Sequence, residues 1–183
     1  MAGHNKWSKI KRQKEKTDGQ KSRIFSKFAK AISSASRLVK GDVNSPTLRA
    51  AIDKAREFNM PADNIERAVK KGVGGEGEQL ENITYEAYGP GGSALIIETL
   101  TGNRNKAAQE VKHILSEFGI ELAQPGSASW AFKKEGGDPA SGGVSWRPTS
   151  TVPISEEDGK VLENLIEKLE ENDEVQEIYT NAE

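Results

Sequence analysis

The spacing of apolar residues changes along this chain, and the changes divide it. From Met1 to Asp18 no helical or strand period persists, so residues 1–19 read as a flexible arm, partly helical around Ile10 to Lys16. From Gln20 to Lys40, Ile24, Phe28, Ile32, Ala35 and Val39 recur at intervals of four and three, the signature of one helix face, and Gly41 is the expected stop. Ser45-Pro46 predicts a helix start, a capping hydroxyl followed by a proline whose missing N–H costs nothing there. Leu48, Ile52, Ala55 and Phe58 form its apolar stripe. Pro61 begins a third helix with Ile65, Ala68 and Val69 inward and Gly72 as its stop. Residues 20–75 are therefore expected to form a three-helix domain.

GVGGEGEQ reads as a hinge, and beyond it the period becomes two. Ile83, Tyr85 and Ala87 alternate with polar neighbours, GPGG turns the chain, and SALIIETL follows as a more buried strand: a β-hairpin. Helical spacing returns over 104–118 through Ala107, Val111, Ile114, Leu115 and Phe118, with Gly119 as its C-terminal cap. SASWAFKK predicts a strand with Ala128, Trp130 and Phe132 inward. EGGDPASGG is loop by composition, and VSWRP and TVPIS are short extended pieces whose prolines suit an edge. Ser155 with Asp158 looks like a capping box for a helix carrying Val161, Leu162, Leu165, Ile166 and Leu169, and VQEIYTN closes as a strand. The fold class expected is α+β, with residues 76–183 forming a ferredoxin-like domain of a sheet and two helices on one face.

Charge sharpens this division. The net charge is −2, yet residues 1–75 hold 18 Lys and Arg against 7 Asp and Glu, and the remainder holds 8 against 21. Salt screens charges beyond roughly 8–10 Å, so a polyanion at the first segment feels +11, not the total. Lys6, Lys9, Lys11, Arg12, Lys14 and Lys16 crowd the arm, with Trp7 among them; Lys21, Arg23 and Lys27 continue onto the first helix. Lysines act as point charges on phosphates, arginines as bidentate donors, and a tryptophan in a cationic arm can stack on an unpaired base. Nucleic-acid contact is the reading favoured over a merely solvated terminus, because residues 1–40 carry 12 basic and 2 acidic groups.

Weaker signals compete with plainer explanations. Helices two and three have the order of a helix-turn-helix, with Phe58-Asn59-Met60 as the turn and Asn64, Arg67, Lys70 and Lys71 outward, an arrangement many helical hairpins share. Gly72, Gly74 and Gly77 spell G-x-G-x-x-G but follow a helix beside Glu76 and Glu78, so they read as a linker. Gly91 and Gly92 in the GPGG turn, with Arg104 and Asn105 where a strand feeds a helix, form a candidate second contact surface; ordinary turn and cap chemistry competes with that reading. His113 has no acid, histidine or cysteine cluster near it in sequence, and cysteine is absent, so no metal site, cofactor site or catalytic set is expected. The acids of the last helix read as a solvated face. No apolar run approaches a bilayer span and no secretory apolar stretch follows the basic start, so a cytoplasmic protein without a membrane partner is expected.

MAGHNKWSKIK, SRIFSKFAKAI, LRAAIDKAREFNMPADNIERAVKKGVGG, YEAYGPGGSALIIETLTGNRNKAAQEVKHIL and DEVQEIYTN together resemble the YebC/PmpR family, over residues 1–134 and 149–183. The resemblance implies a helical N-terminal domain, a ferredoxin-like domain and a non-enzymatic role in gene expression. Members are described as DNA-binding transcriptional regulators, while mitochondrial relatives activate translation of a cytochrome oxidase subunit, pointing to structured RNA on the ribosome. In the family pattern a further α+β domain follows the WAFKKE-like strand; here a loop over 135–148 stands in its place. Oligomeric state, target genes and the choice between DNA and ribosomal RNA are not written in the residues.

Overall fold

The computed structural model describes residues 18–75, 77–135 and 145–183, in two compact units, one reaching Asn82 and the other built from Ile83–Glu135 and Trp146–Glu183. The expectations placed on the arm, on Glu76 and on the loop over 136–144 lie outside the described residues.

The first unit holds α1 (Asp18–Leu38), α2 (Pro46–Glu57) and α3 (Ala62–Val73). Its core contains Ile32, Ala35, Leu48, Ile52, Ala55, Ile65 and Ala68, the residues the 3.6-residue period selects, with Phe28 and Val39 packed at its margin. The rings of Phe28 and Phe58 meet at 5.1 Å. Helix ends are closed by backbone hydrogen bonds. Lys40 (φ 52) and Asn59 (φ 59) take the left-handed position, and the next amide reaches back a full turn, Gly41 to Ser36 O and Met60 to Ala55 O. Two expectations fail here. The Ser45 hydroxyl makes no capping bond, so Pro46 alone marks that start. Gly72 does not stop α3; it is buried inside it, where a Cβ would lie 2.4 Å from Ser33 O and 2.6 Å from Ser36 Cβ. The glycine lets α3 cross close over α1, and Ser36 Oγ donates to Val69 O (2.8 Å) across the same contact.

The second unit contains β1 (Glu81–Tyr88), β2 (Ala94–Thr101), α4 (Arg104–Glu117), β3 (Leu122–Ala123), β4 (Phe132–Glu135), β5 (Ser145–Pro148), α5 (Glu156–Glu170) and β6 (Val175–Thr180). The fold is α+β. Four strands form an antiparallel sheet in the order β3-β1-β2-β6, while β4 and β5 pair separately. The link β2–α4–β3 straddles β1, a split βαβ unit shared with the ferredoxin-like plan. Ala87, Leu95 and Ile97 face α4 and α5 through Val111, Leu115, Leu162, Leu165 and Leu169. The opposite face is covered by the β4–β5 ribbon, and so β2 is buried at all eight positions. Val161, expected inward, is exposed on α5. Gly119 (φ 70) closes α4, and Ser155 caps α5 by accepting from Asp158 N (3.0 Å).

SASWAFKK is not one strand. Ser129–Ala131 is a single 3₁₀ turn and only Phe132–Glu135 is extended. A three-residue period brings Ala128 and Ala131 to the same side, both fully buried, and throws Trp130 outward with 65% of its surface exposed. The period of two assumed for this stretch put Trp130 inside, and the structure corrects it.

Candidate nucleic-acid interface

α1 begins at Asp18, directly after the cationic arm, and Lys21 and Arg23 are exposed on its first turns while Lys27 is partly covered. These three extend the run of positive charge that the sequence places at residues 6–16, which lie outside the described residues together with Trp7. Lys70 and Lys71 are exposed near the end of α3. That end crosses α1 at Ser33 and Ser36, ten to fifteen residues beyond Lys21 and Arg23 and six to nine beyond Lys27. At 1.5 Å per residue the crossing lies roughly 15–22 Å along α1 from the first two and roughly 9–14 Å from Lys27. The two basic groups belong to one unit, with Lys27 between them along α1.

The outward side chains of α3 also hold one another. Lys70 Nζ pairs with Glu66 at 2.7 Å, and its hydrogen bond and charge keep the Glu66 carboxyl below its ordinary range. Arg67 donates to the Asn64 side chain and to Asp63 O (3.4 Å). α3 packs chiefly across α1, and its contact with α2 is slight. A reading helix braced on its helix-turn-helix partner would need more than that.

Gly91 and Gly92 both have positive φ (66° and 75°) at the tip of the β1–β2 hairpin. Gly89 N, Gly92 N and Ser93 N are taken up inside the turn by Ser93 O, Gly89 O and Pro90 O. Gly91 closes on α5's leading segment, where a Cβ would lie 2.6 Å from Ile154 Cγ2. Arg104 and Asn105 sit at the other end of β2, after Asn103, whose side chain caps α4 by accepting from Lys106 N (3.1 Å). β2 separates the two pairs by its length, about 25 Å. The four residues expected to make one second surface are not brought together.

Sequence reasoning missed a different group. Glu86 on β1 is buried, yet its carboxylate accepts from Gly126 N (2.8 Å), Ala128 N (2.7 Å) and Ser129 N (2.9 Å). Burial pushes its pKa up, but the three amides and the Ser129 hydroxyl pull harder, and the carboxyl is held below its ordinary 4.5. The loop it gathers presents Trp130, whose Nε1 donates to Tyr88 Oη (2.9 Å); Tyr88 in turn donates to Ser127 O. Glu98 on β2 accepts on one oxygen from Thr84 Oγ1 (2.8 Å) and Trp146 Nε1 (2.6 Å), tying the β4–β5 ribbon to the sheet. Lys134 Nζ lies 4.9 Å from the Trp146 ring centre. A glutamate at an even position of a strand whose odd positions face the core was the available clue to Glu86.

Residues 5–75 match the family model described as the TACO1/YebC protein N-terminal domain, and residues 80–137 and 136–182 match the TACO1/YebC second and third domain. A "Probable transcriptional regulatory protein" of Fervidobacterium nodosum is 38% identical over 235 residues, covering 99% of this chain and 93% of that one. A protein of the same description from Chlorobaculum tepidum is 44% identical over 176 residues, covering 95% of this chain and 67% of its own. The crystal structure of a conserved hypothetical protein, Aq1575, from Aquifex aeolicus superposes with a TM-score of 0.79 at 31% identity, covering 93% of each chain. The 235-residue match exceeds these 183 residues by at least 52 positions. The second-and-third-domain model, for its part, is matched in two pieces that meet in the β4–β5 connection.

Proposed function

The chain belongs to the TACO1/YebC family, and from that membership and its charge distribution we propose that it is a non-enzymatic, nucleic-acid-binding regulator of gene expression. The observation that carries the reading is the asymmetry of charge: +11 over residues 1–75 against −13 beyond them. Lys6, Lys9, Lys11, Arg12, Lys14 and Lys16, continued by Lys21, Arg23 and Lys27, grip a phosphate backbone, and the acidic remainder stays away from it. Such contacts position a protein without reading bases. Duplex DNA is the target suggested by the relatives' name. Structured RNA on the ribosome is the second reading, favoured by Trp7 in the arm and by the slight contact between α2 and α3. The protein acts in the cytoplasm without a membrane partner or small-molecule substrate, as a short form lacking the family's inserted domain.

The test pairs two measurements. Ribosomes are sedimented from lysate with and without nuclease, while duplex DNA and ribosomal RNA are titrated against the purified chain. Selective, tight duplex binding without ribosome co-migration supports the transcriptional reading; co-migration with weak DNA binding supports the ribosomal one. Reversing Lys9, Lys11 and Arg12 to Glu is expected to weaken whichever interaction exists by more than about tenfold. Unchanged affinity would remove the arm from the account.

A further inference from the structure

Two aromatic side chains of the second unit are left in water: Trp130 at 65% exposure and Tyr88 at 42%. Neither sits on a loose end. Three amides of the 126–129 loop are bound to the buried Glu86 carboxylate, and Ala128 and Ala131 anchor the turn with no surface exposed. The polar edges of the two rings are satisfied within the protein, indole N–H to phenol oxygen and phenol O–H to Ser127 O. What they offer a ligand is therefore their faces. Lys133 and Lys134, both exposed, follow within four residues of Trp130.

We propose that Tyr88 and Trp130 form a stacking site for an unpaired nucleobase of a single-stranded stretch of nucleic acid, with Lys133 supplying charge to the adjoining phosphate. A fixed aromatic face beside cations is the arrangement that binds single strands without sequence readout. An apolar protein partner fits less well. The other large hydrophobic exposed in this unit, among the described residues, is Val161 on α5. Ala87 faces the α4 and α5 layer, so Glu86 and Tyr88, alternating with it, face the other way. The face that carries Tyr88 is thus the one opposite α4 and α5, and Lys133 and Lys134 are exposed on the strand that follows Trp130. The inference rests on the nucleic-acid reading but adds a contact that the arm does not supply.

The test uses the full chain, Trp130→Ala and Trp130→Phe, each checked for an unchanged circular-dichroism melt. The probes are a labelled 12-nucleotide single-stranded RNA, the DNA of the same sequence, and an abasic strand of equal length. Trp130→Ala is expected to weaken binding of base-bearing strands by roughly 5- to 100-fold, with Trp130→Phe retaining most of the affinity. The abasic strand should bind all three proteins alike. A loss on the RNA alone assigns the site to RNA; a loss on both assigns it to any single strand. Equal binding of base-bearing strands by the unaltered chain and Trp130→Ala overturns the site and leaves the rings to a protein partner. An equal loss on the abasic strand overturns it too. Failure of the unaltered chain to bind any strand sinks the nucleic-acid reading itself, and this site with it.

Discussion

Glu86 stands between Tyr85 and Ala87, which turn toward the helices, so its carboxylate enters the opposite layer and meets the amides of residues 126, 128 and 129. Glutamine at this position would present an amide N–H₂ to at least one of those donors. Replacing Glu86 by Gln is expected to cost about 2 kcal/mol, the scale of losing a charge-assisted hydrogen bond in a buried site, measured by urea denaturation at neutral pH. The folded pKa lies below 4.5, so the unfolded chain binds more protons through that window. Stability from this group is complete above the ordinary carboxylate range and is lost as pH falls through the depressed folded value. Glu86→Gln should therefore show a shallower loss of stability below pH 4.5 than the unaltered chain. Identical acid slopes would mean that the carboxylate is not held as described.

The helices followed closely from the spacing of apolar residues, while two of their expected end signals, the Ser45 cap and the Gly72 stop, did not hold. Leu48, Ile52 and Ala55 on α2, and Leu162, Leu165 and Leu169 on α5, are buried where a 3.6-residue period puts them. What local pattern could not show was set by neighbours distant in sequence. Trp130 was misplaced because a carboxylate 44 residues earlier holds its loop in a 3₁₀ turn, and Gly72 because its role depends on Ser33 and Ser36. The dispersal of the expected second surface has the same origin, since Gly91 and Arg104 are close in sequence but sit beyond opposite ends of β2. The α1–α3 crossing yields a prediction against helix propensity. Alanine in place of glycine ordinarily stabilises a helix interior by about 1 kcal/mol. Gly72→Ala should instead destabilise by about 1–3 kcal/mol, because the new methyl meets the Ser33 carbonyl. A raised melting temperature would show that the crossing is looser than drawn.

For the whole molecule, charge separation matters more than the net value of −2, which would by itself argue against binding a polyanion. That separation was fully legible in the sequence, as was the family; the identity of the proposed polyanion was not, because phosphate contacts carry no base information. The measurement that tests the central claim most directly is the salt dependence of binding for the full chain and for a chain lacking residues 1–17, on duplex DNA and on structured RNA. If the arm neutralises about six phosphates, the shortened chain binds more weakly and its slope of log K against log salt is shallower than that of the full chain by roughly 4 to 5. Equal affinities and equal slopes for the two chains at every ionic strength would contradict the account.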